Sequence, residues 1–128
     1  LRGRVVAGRG DFARWITLLS DLYLAKTGLR LFPGTLNLQL DHVYDLPATR
    51  LRLEGTDYGG TVSVNLVPCR IFGRAAFILR TDANETDQGD HPRSLIEIAA
   101  EVKLRDVHHL SDGDLVEVEV DPVGSSAH

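Results

Sequence analysis

Two neutral, oxygen-bearing side chains, Thr35 and Asn37 in the stretch RLFPGTLNLQL (residues 30–40), are the first residues whose types and spacing suggest chemistry. Pro33-Gly34 turns the chain and TLNLQL then alternates polar and apolar like a strand, so the two side chains share a face one pleat apart. A hydroxyl and a carboxamide oxygen suit Mg2+, a hard cation that keeps several waters and takes the rest of its shell from substrate phosphates. Neither residue is charged, so the pair holds a cation only where something anionic, such as a nucleotide, arrives with it. A surface strand after a tight turn is the ordinary alternative for the same residues.

Other candidates are weaker one by one. AGRGDF (residues 7–12) has two glycines one residue apart, which let a backbone bend sharply and turn its N–H groups toward an anion. It lacks the third glycine of a dinucleotide fingerprint and the Lys-Ser/Thr of a P-loop, so a plain turn accounts for it equally well. Glu97 in LIEIAA points away from Ile96 and Ile98, either to solvent or into a cavity where it would accept a hydroxyl's hydrogen bond as a general base. Lys103 and Arg105 stand close enough to bind phosphate or simply to be solvated. His108 and His109 are adjacent and so make a poor metal pair. No nucleophile motif is present, neither GxSxG nor HExxH nor a Cys/His arrangement, and a covalent mechanism has no support.

The elements that must position these residues are mostly strands. Alternation or β-branched content predicts strands at 4–7, 35–40, 50–55, 61–71, 75–80, 94–100 and 114–120, with turns at Gly59-Gly60, Phe72-Gly73 and SDGD. Seven short strands in about 120 residues predict an antiparallel barrel or sandwich. DFARWITLLSDLYLAKTG (residues 11–28) reads two ways. Phe12, Trp15, Ile16, Leu19, Leu22 and Tyr23 have the spacing of one amphipathic helix ending at Gly28, whereas Trp15-Ile16-Thr17 favours a strand and Ser20-Asp21 would cap a shorter helix over 21–27. TDANETDQGDHPR (residues 81–93) is polar, acidic and aperiodic and reads as a mobile surface loop; VKLRDVHHL (102–110) suggests a short helical turn.

Composition bounds the function. The 128 residues, 43% hydrophobic and 25% charged, suit one soluble domain, assigned here to residues 1–122 with a flexible tail at 123–128. A net charge of −4 and a pI near 5.7, with no basic patch, argue against nucleic-acid binding. No apolar run approaches a membrane span and no signal peptide is visible, while the absence of Met even at position 1 reads as a trimmed or partial chain. Cys69 is the only cysteine, which excludes an internal disulfide; its apolar strand setting predicts an inert buried thiol in a cytoplasmic protein.

The order of these signals is more specific than any one of them. A Gly-x-Gly loop after the first strand, then FPGTLNLQL, then LIEIAAEVKLRDVHHLSDGDLVEVEV resembles the archaeal-type CTP-dependent riboflavin kinase family over about residues 3–120. The resemblance implies a six-stranded cradle-loop-type β-barrel with one short capping helix, a strand followed by that helix over residues 12–27, and transfer of the CTP γ-phosphate to the riboflavin 5′-hydroxyl, giving FMN and CDP. It implies that Gly8, Arg9, Gly10, Asp11, Phe12 and Ala13 wrap the nucleotide phosphates, that Thr35 and Asn37 bind Mg2+, and that Val102, Lys103, Leu104 and Arg105 contact the nucleotide. Glu97 matches a flavin-contacting acid and is the expected catalytic residue. Thr86, with Thr81 as the alternative, matches the flavin-binding threonine.

Two departures from the family pattern stand out. Phe12 replaces the third loop glycine and Ala13 a basic residue. They favour a second hypothesis, a non-catalytic flavin- or nucleotide-binding module of the same fold, while Thr35, Asn37 and Glu97 favour the kinase. A barrel for protein interaction would leave those three residues without a purpose.

Overall fold

The computed structural model describes residues 1–8, 11–47, 50–86 and 92–120. Among the described residues seven strands form where alternation predicts them: β1 (Arg2–Val6), β2 (Leu36–Leu40), β3 (Leu51–Leu53), β4 (Val64–Ile71), β5 (Arg74–Thr81), β6 (Leu95–Ala99) and β7 (Leu115–Val120). All pairings are antiparallel, in the order β3-β4-β5-β6-β2-β1-β7, and β7 also pairs with β4. Six strands therefore close into a barrel, and β3 lies outside the closure. The free edge of β4 serves two partners, β3 along Val64–Leu66 and β7 along Cys69–Ile71. Pro68, which has no N–H to give a ladder, sits where the partner changes.

Strand alternation sorts the side chains into two apolar clusters. Val5, Leu36, Leu38, Val67, Cys69, Ile71, Ile78, Ile96, Ile98, Val116 and Val118 fill the barrel interior. Cys69 is a buried member of that interior, as its setting predicts. Residues of opposite parity, Leu66, Phe77, Leu79 and Ala99, face outward and would be wet on a bare barrel. They are covered instead by Phe12, Ile16 and Tyr23.

Those three residues belong to two helices, α1 (Asp11–Leu18) and α2 (Ser20–Thr27). The strand expected at the start of 12–27 does not form, and the cap of the barrel is a helix pair rather than one short helix. Burial decides: Phe12, Ile16 and Tyr23 reach the outer apolar face together only from helical backbone, which overrides the extended preference of Trp15-Ile16-Thr17. The helix breaks at Leu19 and stops at Gly28, whose φ of 75° and N–H bond to Leu24 O (2.8 Å) form the expected left-handed cap. Ser20 is no N-cap; its hydroxyl accepts from Arg30 Nη1 at 2.7 Å.

The polar stretch 81–93 is ordered at its start. Thr81 ends β5 and caps α3 (Asp82–Glu85), its Oγ1 accepting from Asn84 N at 3.1 Å, while residues 87–91 lie outside the described residues, as does the tail from 121 onward. The helical turn expected within 102–110 is α4 (Leu104–Val107), whose Leu104 is buried in the interior cluster. Among the described residues no helix is long and apolar enough to cross a membrane.

Candidate active site

The PGTLN segment is set by local backbone chemistry. Gly34 N donates to Phe32 O at 2.8 Å, closing a three-residue turn about Pro33, and Phe32 N donates to Ala100 O at 2.7 Å, which fastens that turn to the end of β6. Leu36 and Leu38 then enter the barrel, so Asn37 faces outward together with Thr35. On the neighbouring strand Ile96 and Ile98 also enter the barrel and turn Glu97 outward, in direct register with Asn37.

Outward is not toward solvent here. Asn37 and Glu97 are 5% and 6% exposed, so the solvated-carboxylate alternative for Glu97 is overturned. The Thr35 hydroxyl donates to Glu97 Oε1 at 3.1 Å, and across β6 the register partner of Glu97 is Leu79 of the apolar face beneath the helices. Asn37 Oδ1 is buried without a hydrogen-bond partner among the described residues. A buried carbonyl oxygen left unpaired is costly and asks for a ligand. A Cβ added to Gly8 would lie 2.0 Å from Asn37 Nδ2, so the chain leaving β1 passes directly over the carboxamide.

These groups fit a Mg2+ that arrives with phosphate. Thr35 gives its proton to Glu97 and keeps its oxygen lone pairs for a cation, and Asn37 Oδ1 has a free acceptor position. Among the described residues no cluster of three or more His, Cys, Asp or Glu exists to bind a metal by charge alone.

A cleft of about 60 Å3 opens beside Thr35, with Gly34 and Leu36 on one wall and residues 102–105 on the other. That volume admits a few water molecules or part of a triphosphate rather than a whole nucleotide. Lys103 is exposed, with its ammonium a loose 3.8 Å from Asp106. Arg105 is more committed: Nη2 bonds Asp112 and reaches Val6 O at 3.4 Å, tying α4 to the end of β1.

The sequence-predicted residues thus divide. Gly8, Thr35, Asn37 and Glu97 come together, and Thr35 shares its cleft with Val102, Lys103, Leu104 and Arg105. Arg9 and Gly10 lie outside the described residues, and Asp11 begins α1. Phe12 is helical and 5% exposed, with its ring in the outer apolar cluster; Ala13 follows in the same helix. The conformational freedom of glycine is therefore not needed at position 12. Thr86 is exposed and its hydroxyl donates to Asp82 O and Ala83 O, whereas Thr81 lies two residues beyond Leu79 on the face that carries Glu97.

Sequence reasoning missed the contact between Gly8 and Asn37 and a polar group at the root of α3. There Arg52 makes a two-pronged contact with Asp82 (Nη1–Oδ1 2.9 Å, Nη2–Oδ2 2.8 Å), while Nε bonds Glu54 at 2.7 Å and Nη1 bonds Asn65 Oδ1 at 2.7 Å. The Arg52 hydrogen bonds hold the Asp82 carboxyl below its ordinary pKa. RLRLEG reads only as a strand, and nothing in it announces partners 30 residues away.

The family model CTP-dep_RFKase, described as Domain of unknown function DUF120, matches residues 5–120. The chain is 39% identical over 128 residues to a protein of Pyrobaculum arsenaticum named riboflavin kinase and 37% identical over 135 residues to one of Pyrobaculum aerophilum with the same name. Each alignment covers 94% of this chain and 60% of the relative. A riboflavin kinase of Staphylothermus marinus is 24% identical over 120 residues, with 92% of this chain and 88% of the relative covered. The chain thus spans about 60% of the length of the two Pyrobaculum relatives. With its barrel and nearly all of its length matched, the chain belongs to the CTP-dep_RFKase family.

Proposed function

We propose that this chain is a CTP-dependent riboflavin kinase, transferring the γ-phosphate of CTP to the riboflavin 5′-hydroxyl. The observation that carries the proposal is the meeting of Thr35 with the buried Asn37 and Glu97 on the outer face of β2 and β6, with an unpaired carboxamide oxygen among them. Relatives named riboflavin kinase and the family's name supply the flavin and the CTP. The Staphylothermus relative, 88% covered, supports a barrel of this size as sufficient for the activity.

Thr35 Oγ1 and Asn37 Oδ1 would hold Mg2+, which when bound supplies positive charge against the triphosphate. Glu97 accepts the hydrogen bond of the riboflavin 5′-hydroxyl and takes its proton as the 5′-oxygen bonds to the γ-phosphorus. The bond from that phosphorus to the β,γ-bridging oxygen breaks, and its electron pair leaves with CDP. Lys103 faces the phosphates as the more available cation, since Arg105 is engaged with Asp112. The first-turn N–H groups of α1 would favour anionic oxygens. Phosphoryl transfer needs chiefly positioning and charge compensation, which such a set provides. Thr86 or Thr81 would contact the flavin, and the setting is cytoplasmic. Phe12 packs in the apolar cluster on helical backbone, which favours the kinase over the non-catalytic module.

The test is FMN formation from riboflavin with Mg2+ and CTP, ATP, GTP or UTP, measured by fluorescence-detected chromatography. FMN with CTP, lost in Thr35→Ala/Asn37→Ala while the fold persists, is the expected result. Folded protein that binds riboflavin or CTP yet makes no FMN with any nucleotide would leave the binding module as the function. Full activity in the double variant would remove the metal site.

A further inference from the structure

We propose that Phe72 is a positioning residue that clamps α4 and so holds residues 102–105 in place for the nucleotide; the proposal rests on the nucleotide reading of that segment. Phe72 and Gly73 form the tip of the β4–β5 hairpin with φ of 53° and 72°, the left-handed pair of a type I′ turn. Asn-Gly is the usual choice for such a turn, and a bulky residue at its first position is strained. Phe72 is also 48% exposed, so burial of its ring does not explain it.

The ring stacks instead on His108, with centroids 4.1 Å apart and planes at 20°. His108 is the residue that ends α4, and its Nε2 is sealed from solvent without a hydrogen-bond partner among the described residues. The next residue, His109, is left-handed as well, with φ of 53°, and Leu110 N donates to Arg105 O at 2.9 Å to close the helix end. Phe72 and His109 are the non-glycine residues with positive φ among the described residues; the first makes this contact and the second directly follows its partner. Local preference would put Asn at 72 and Gly at 109. Backbone strain gathered at one contact points to a task for that contact.

The task follows from the size of α4. It is one turn of four residues, too short to hold itself, and its flank carries Lys103 and Arg105. Leu104 anchors its start in the barrel, Arg105 ties it to Val6 and Asp112, and the Phe72 stack secures its end.

Phe72→Asn relaxes the turn and removes the stack, two opposing effects, so thermal stability stays near that of the parent protein. Amide hydrogen exchange over residues 104–110, measured without ligand, should accelerate about threefold to tenfold, the range for losing one aromatic contact. The KM for CTP should rise by a similar factor, with kcat and the KM for riboflavin unchanged. His108→Ala removes the contact from the other side and should reproduce both effects, whereas Phe72→Tyr should restore both. Unchanged exchange in Phe72→Asn and His108→Ala, or faster exchange with an unchanged KM for CTP, would overturn the proposal. A parent protein that takes no nucleotide would remove the underlying reading, and that failure is seen without any substitution.

Discussion

Gly8→Ala offers the most direct test of the site, because its consequence is read from one distance. An added Cβ would stand 2.0 Å from Asn37 Nδ2, 2.7 Å from Cγ and 3.1 Å from Oδ1. Ordinary contact requires about 3.5 Å, so either the carboxamide or the loop must move by about 1.5 Å. Asn37 cannot shift its backbone: Leu36 and Leu38 are locked into the barrel, and the strand is paired on both sides, with Val6 and with Glu97. The side chain must therefore leave its rotamer or the loop must lift away from it.

Either movement separates groups proposed to meet on one cation and one phosphate, and misplacement by about 1 Å costs on the order of a hundredfold in rate. FMN formation titrated with Mg2+ should show kcat/KM reduced by roughly that factor and a higher Mg2+ requirement, with the melting temperature nearly unchanged because Gly8 is exposed. A double-mutant cycle sharpens the test. If Gly8 matters by making room for Asn37, adding Gly8→Ala to Asn37→Ala should cost little further. Wild-type kinetics in Gly8→Ala would refute the reasoning, and full additivity in the cycle would show that Gly8 acts elsewhere.

Glu97→Gln keeps the shape of the side chain but cannot accept the 5′-hydroxyl proton. It should lower kcat by a factor of about 10² to 10⁴ with the KM for CTP nearly constant; a collapse of CTP affinity at constant kcat would move Glu97 to the nucleotide half of the site. Asp82→Asn tests the Arg52 group: the folded-state pKa of Asp82 is lowered by Arg52, so its contribution is present above about pH 4 and lost as pH falls below it. Urea midpoints from pH 2 to 7 should show the variant less stable at neutral pH by under about 1 kcal/mol, since the pair is half exposed, and a flatter acid limb; an unchanged profile would deny the pair any role. Tyr23 Oη is buried without a partner among the described residues, and burial pushes its hydroxyl pKa up, so Tyr23→Phe should raise stability by about 1 kcal/mol, whereas a loss by thermal melt would reveal a partner for the hydroxyl.

The barrel was legible because closure enforces alternation. Leu36, Leu38, Ile96 and Ile98 had to be apolar to fill the interior, and that rule alone turned Thr35, Asn37 and Glu97 to the other face. What lies over that face was not legible. For a bare barrel the outer face is solvent, which made a wet Glu97 the simpler expectation; it is buried instead, beside Thr35, Asn37 and Leu79, which are all distant from it in sequence. The helix pair was half legible, since the spacing of Phe12, Ile16 and Tyr23 was visible but the outward Leu66, Phe77 and Leu79 that reward it were not.

The same distinction explains Gly8 and Phe72. Each carries a visible local signature, a glycine in a loop and an aromatic before a turn glycine, and each derives its purpose from a partner in another element, Asn37 or His108. Backbone needs can be read from a residue and its neighbours. Side-chain purpose at this site depends on which loops the closed barrel brings to its β1–β2–β6 end. That is also why the departure at Phe12 looked more serious in sequence than it is in space: a missing glycine weakens a phosphate loop where left-handed backbone or a close approach requires it, as at Gly8, and at position 12 the chain is helical with its ring in the outer apolar cluster.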